Sequence, residues 1–137
     1  MSDAGLDEYR ALLENLLDAY NRRDQSAFVA MWVPNCEWHP FLTARVEADP
    51  GYHGHNGLRA WFEDVDEMFT EVHGELEEVR EVGERIVGLG RMEARARVSG
   101  AEVTSEIGWV FEMEGELCRR GWAYASHDES LAAAQAA

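Results

Sequence analysis

Cysteine is scarce in this chain. Cys36 and Cys118 are the only two in 137 residues, too few and too far apart for a disulfide scaffold or a metal knuckle. They read as two buried free thiols, as expected of a cytoplasmic protein. No apolar run approaches the ~18 residues of a membrane span. The opening Met-Ser-Asp-Ala-Gly lacks the basic start and apolar block of a secretory signal. Positive charge is short as well. Twelve basic residues stand against 27 acidic ones, a formal charge of −15. Such a surface repels phosphate backbones and anionic lipid, so neither nucleic acid nor membrane is an expected partner. Internal repeats, low-complexity linkers and composition breaks are missing too, so 1–137 reads as a single domain, large enough to bury a core.

What is present is apolar mass. Hydrophobic residues make up 46% of the chain, which excludes a disordered polymer. Five tryptophans need a buried or concave place to sit.

Hydrophobic spacing orders the chain into helices first and strands second. Leu6, Tyr9, Leu13, Leu16, Leu17 and Tyr20 form one face of a helix ending near Asn21-Arg22-Arg23. A short second helix, capped by Asp24 or Ser26, is expected to carry Phe28, Met31 and Trp32 until Pro34 stops it. Cys36 to Phe41 follows as a strand, with Cys36 and Trp38 on one side and Glu37 and His39 on the other. After a loop from Thr43 to Gly51, Asn56 is placed to cap a third helix carrying Leu58, Trp61, Phe62, Val65, Met68, Phe69 and Val72. Everything beyond His73 reads as sheet. Glu75–Val82 and Arg91–Val98 are strands, and the next sets Val103, Ile107, Trp109, Phe111 and Met113 on one face. Turns at Ser99-Gly100 and Glu114-Gly115 lead to a last strand from Leu117 to about Tyr124. The alanine-rich segment from Asp128 is expected to form a short helix. This order argues for an α+β fold with segregated layers.

The run from Tyr52 to Phe62, Tyr-His-Gly-His-Asn-Gly-Leu-Arg-Ala-Trp-Phe, resembles the Tyr-x-Gly-x-x-Gly-Leu-Arg-x-Trp signature of SnoaL-like proteins in the NTF2-like superfamily. Val82–Val87, Val98–Gly100 and Glu129–Ala134 are similar to the family as well, and the order of elements matches across the whole chain. The resemblance implies a cone, three N-terminal helices packed on a strongly curved antiparallel sheet. It also implies a pocket inside the cone for a small apolar or aromatic molecule, and a homodimer. Residues spilling onto the outer sheet face, such as Val110, would then meet a symmetric partner.

Strand alternation and the helical stripe nominate Trp38, Trp61, Trp109 and Phe111 as an aromatic pocket wall. Tyr52 is expected to close over that pocket or anchor its loop. In the last strand Cys118, Arg120, Trp122 and Tyr124 alternate onto one face, so Arg120, Trp122 and Tyr124 are expected to join the wall. An inward Arg120 needs an anionic ligand or an internal acid, with Glu14 or Asp18 as candidates for the latter. His39 is the catalytic candidate, a base if it turns inward and a surface histidine if it does not. His53 and His55 have no further ligand spaced nearby, so no metal is expected, and no cofactor.

The catalytic sets known for the superfamily are vacant here. Pro40 falls at the position of the isomerase base, Leu16 at its oxyanion tyrosine and Trp109 at its second acid. The last strand offers no acid before Asp128 for cyclase chemistry, and no Asp-Arg-Asp set occurs on the strands for epoxide hydrolysis. Two functions stay open. One is a small-molecule binder, with or without isomerase, cyclase or hydrolase activity. The other is a non-catalytic assembly module whose cone is filled by its own side chains.

Overall fold

A computed structural model describes residues 3–40 and 51–136 of the chain. Most of the Thr43–Gly51 loop, and Phe41 at the expected end of the first strand, lie outside the described residues. Ten elements follow in order: α1 (Asp3–Asn21), α2 (Gln25–Val29), β1 (Trp32–His39), β2 (Tyr52–His53), α3 (Gly54–Met68), β3 (Phe69–Val82), β4 (Arg85–Ala96), β5 (Glu102–Glu114), β6 (Leu117–Tyr124) and α4 (His127–Gln135). The six strands form one sheet in the order β2-β1-β6-β5-β4-β3. All neighbours are antiparallel except β1 and β6, which run parallel. The fold is α+β, as the hydrophobic spacing requires.

α1 buries Leu13, Leu16, Ala19 and Tyr20 along one stripe, the i, i+3, i+4 face that a helix presents to a sheet. Its end is tied to β3 by a two-way bond: the Asn21 amide donates to Gly74 O at 2.8 Å and accepts from Gly74 N at 2.9 Å. Glycine leaves room there for the Leu17 side chain, whose Cδ1 would stand 2.9 Å from a Cβ. Arg23 then adopts a left-handed φ of 57°. It donates to Phe62 O and Asp66, 3.1 and 2.7 Å away, and ties α1 to α3.

Several boundaries differ from the sequence expectation: β3 begins at Phe69 and not Glu75, and β4 runs Arg85–Ala96 and not Arg91–Val98. The second helix stops at Val29, so Trp32 and Pro34 belong to β1. Pro34 does not end a helix. It sits between Trp32 and Glu37, where the pairing of β1 with β6 shifts register, and there its missing N–H breaks no regular ladder. The third helix starts at Gly54 after His53, not at Asn56, which lies inside the first turn and accepts from Arg59. The same helix ends at Met68, and Phe69 and Val72 are already strand. β3 is the far edge of the sheet, and its charged Glu71, Glu75, Glu77, Glu78, Arg80 and Glu81 discourage edge-to-edge pairing.

α1 and α3 pack against one face of the curved sheet and α4 against the other. The concave face holds the main core. The convex face holds a smaller one of Val87, Leu89, Val110 and Ala134. Val110 is therefore only 1% exposed and is covered by the protein's own last helix. That removes it as a reason for a dimer. Gly108 permits this approach, since a Cβ there would collide with the Ser130 side chain.

Candidate functional site

The concave core lines a cavity of about 50 Å³. Its wall is assembled from every layer. α1 brings Leu13, Leu16 and Tyr20, β1 brings Trp32, Trp38 and the following Pro40, and α3 brings Trp61. Trp109 and Phe111, two apart on β5, and Ala123 on β6 close the sheet side. At this size it holds on the order of three waters. A polycyclic guest does not fit the space as it stands.

The rings around it form a continuous cluster. Trp61 stacks on Tyr20 at 5.0 Å and 13°, and meets Trp38 edge-on at 5.3 Å. Trp38 stacks on Phe111 at 6.2 Å and 8°, and Trp32 meets both Trp38 and Phe111 edge-on. Four polar atoms in this cluster are buried without a hydrogen-bond partner: the Tyr20 hydroxyl and the Nε1 atoms of Trp32, Trp38 and Trp61. Burial pushes the Tyr20 hydroxyl well above its ordinary pKa, against the opposing effect of Arg23. It therefore stays protonated and can donate. The lining supplies donors; no carboxylate or imidazole stands among its described residues.

Trp38, Trp61, Trp109 and Phe111 are thus brought together as the alternation implies. Arg120, Trp122 and Tyr124 are not. Glu112 pairs with Arg120, but Met113 pairs with Cys118. Arg119 is consequently an extra residue, a β-bulge, and it reverses the facing of everything after it. Cys118 joins the concave core, while Trp122 and Tyr124 pack on the convex side. Simple alternation cannot see a bulge.

Arg120 does have an internal acid, although neither Glu14 nor Asp18. Its Nε and Nη2 lie 2.7 and 2.6 Å from Glu112 Oε1. Arg85 donates to Glu112 Oε2 from Nε and Nη2 at 3.1 and 3.0 Å, and Arg119 Nη2 reaches Oε1 at 3.3 Å. Burial alone would raise the Glu112 carboxyl; hydrogen bonds from Arg85 and Arg120 outweigh it and hold the group below the usual carboxylate range. A depressed folded-state value gives stability that is fully present above the unfolded value of about 4.3 and is lost as pH falls through the folded value. Glu112→Gln should cost about 2 kcal/mol at pH 7, less than a fully buried pair, because two of the three guanidiniums reach solvent. Urea melts of parent and variant should converge between about pH 5 and pH 3. A stability gap that does not change with pH would contradict this role.

The remaining candidates are also placed. His39 faces outward, stacked on Trp122 at 5.9 Å and 9°, with Glu37 Oε1 3.7 Å from its Nε2. It is the surface histidine of the two alternatives. The Tyr52 hydroxyl donates to Asp64 at 2.6 Å, the geometry of a loop anchor. His55 Nε2 donates to Trp32 O at 2.8 Å and ties the start of α3 to β1. Burial raises both thiols, Cys118 to about 12, so neither is a thiolate nucleophile. Sequence reasoning missed Tyr20 and Trp32 as wall residues. Tyr20 lies on the helical stripe already visible in α1, and that stripe was the available signal. Trp32 was hidden by its assignment to the wrong element.

A family model described as SnoaL-like domain matches residues 13–120. No curated protein matches the chain. Many solved structures share the fold. An NTF2-like protein of unknown function from Burkholderia pseudomallei is 23% identical, with 96% of this chain and 97% of that one covered at a TM-score of 0.76. TerC, co-crystallised with polyporic acid, is 16% identical over 89% and 94%, TM-score 0.75. A hypothetical protein with a ketosteroid isomerase-like fold from Catenulispora acidiphila, in complex with trimethylamine, is 12% identical over 88% and 89%, TM-score 0.73. At these identities the likeness is one of fold.

Proposed function

We propose, since this chain belongs to the SnoaL-like domain family, that its cone binds a small, mainly apolar molecule carrying a hydrogen-bond acceptor. The observation that carries the reading is the set of unpaired donors on Tyr20, Trp32, Trp38 and Trp61. Each unmet buried donor costs about 1–3 kcal/mol, and native interiors leave few of them. A carbonyl or ether oxygen arriving among these rings removes part of that cost, so the site favours an acceptor-bearing guest over a plain hydrocarbon. The donor atoms are fully covered, so binding includes a small rearrangement of the rings that enlarges the cavity. With donors and no base in the described lining, the chemistry offered is binding and polarisation of a carbonyl, not proton abstraction. Two of the similar proteins are described with small molecules, polyporic acid and trimethylamine. Those ligands belong to those proteins, and they support a small-molecule reading here.

Cyclopentanone and methylenecyclopentane have nearly the same shape and differ in the acceptor. Titration followed by tryptophan fluorescence should show cyclopentanone binding at least about tenfold more tightly, ~1.4 kcal/mol. Tyr20→Phe should narrow that preference. Equal affinity for the pair, or no saturable binding of either, would defeat the reading.

A second reading is favoured by one observation. The cavity of about 50 Å³ is far below the ~300 Å³ at which drug-sized sites begin. In that reading the rings are the core of a non-catalytic module that works by assembly, as a homodimer in the first instance. Sedimentation equilibrium at tens of micromolar tests it directly, and a monomer counts against it. The two free, buried thiols support a reducing, cytoplasmic location in either reading.

A further inference from the structure

The convex face carries a second concentration of chemistry that the cone does not use. Registers across four strands place Glu37, Arg120, Glu112 and Arg85 in one transverse row. The next row holds His39, Trp122, Val110 and Val87. α4 covers the β4–β5 end of these rows. At the β6–β1 end, Trp122 stays half-buried with His39 stacked beside it.

Charge makes this patch exceptional. The molecule carries −15, yet three of its twelve basic residues converge on one carboxylate, that of Glu112. Glu37 is the other acid in the rows, and its partner is His39. Three guanidiniums therefore gather on the single carboxylate of Glu112, with mutual repulsion among the arginines. Arg85 is spent: its Nε and Nη2 go to Glu112 and its Nη1 to Ala133 O. Arg119 and Arg120 are not, with 50% and 43% of their side chains exposed. The Arg85 and Arg120 guanidiniums also lie 5.2 and 5.8 Å from the centre of the Trp122 ring, so the indole already has cations and the His39 ring beside it.

We propose that this patch binds a flat aromatic carboxylate, with its ring against the exposed part of the Trp122 indole and its carboxylate on the free N–H groups of Arg119 and Arg120. A guanidinium matches a carboxylate through paired, charge-assisted bonds, and an aromatic face beside it selects planar over compact anions. The site is separate from the cone and would exist whether or not the cone takes a ligand.

The probe is 2-naphthoate, with 2-naphthamide as its neutral match and acetate as its ringless one. The readout is the Trp122 indole resonance in ¹H–¹⁵N spectra, assigned through Trp122→Phe. Naphthoate should shift that resonance saturably, and at least tenfold more tightly than the amide or acetate. The double change Arg119→Gln and Arg120→Gln leaves Arg85 on Glu112, so the fold should hold. It should weaken naphthoate at least tenfold, while Tyr20→Phe in the cone leaves it unchanged. Four results would overturn the proposal: equal binding of the amide, equal binding of acetate, indifference to the arginine changes, or shifts confined to the cone tryptophans. A dimer by sedimentation whose Trp122 does not respond overturns it too, because a second copy then covers the patch.

Discussion

Trp61→Ala is expected to lower the unfolding free energy by about 3–5 kcal/mol. Trp61 is 5% exposed and has rings on several sides: Tyr20 at 5.0 Å, Trp38 at 5.3 Å, Phe62 at 5.4 Å and Phe28 at 5.5 Å. Removing it forfeits the transfer energy of an indole and opens a hole that the packed neighbours cannot close. The same hole joins the cavity, so the variant should gain affinity for indole, as apolar cavities left by truncation accept aromatic guests. Urea melts with and without indole check both halves. A loss under about 1 kcal/mol would mean that Trp61 borders open space and is not core. A full loss without rescue by indole would mean that the hole collapses.

Gly90→Ala is expected to be comparably severe for a different reason. An added Cβ would sit 1.8 Å from the Glu75 carbonyl oxygen and 2.9 Å from its carbon. Those are backbone atoms of the paired strand β3, next to the irregularity at Leu76/Glu78, so no side-chain rotation relieves the clash. The strands must separate, at a cost of about 3 kcal/mol, or roughly 10 °C in Tm for a domain of this size. Gly83→Ala is the control for space, since nothing lies within 4 Å of a Cβ there. Its φ of +61° leaves only the smaller backbone penalty of about 1 kcal/mol. Similar melting temperatures for the two variants would refute the argument.

Much of this architecture was legible because it follows from local periods. The stripe through Leu13, Leu16 and Tyr20, the run to Trp61, and the alternation of Trp109 with Val110 each report a facing that the fold keeps. Nonlocal events were not legible. β1 begins at Trp32 because β6 pairs with it there, and nothing near Pro34 announces that. The bulge at Arg119 arises between two strands, so it left no mark on the apparent alternation of β6 and sent Arg120, Trp122 and Tyr124 to the wrong side. The covering of Val110 by α4 is likewise a docking of distant segments. The unpaired donors on Tyr20 and the tryptophans could not be read at all, because an indole N–H looks the same in sequence whether or not it finds a partner.

The parallel pairing of β1 with β6 also sets a timetable. Trp32 stands beside Cys118 and His39 beside Trp122, so one of the earliest strands synthesised waits for one of the latest. At about 5–20 residues per second, a ribosome needs on the order of ten seconds to deliver that partner. Through that interval the nascent chain carries Trp32 and Trp38 with no sheet to enter. Such long-range closure slows folding, and exposed apolar surface invites aggregation or capture by a chaperone. The yield of this protein in a cell should therefore depend on holdase capacity during translation more than on the stability of the finished cone.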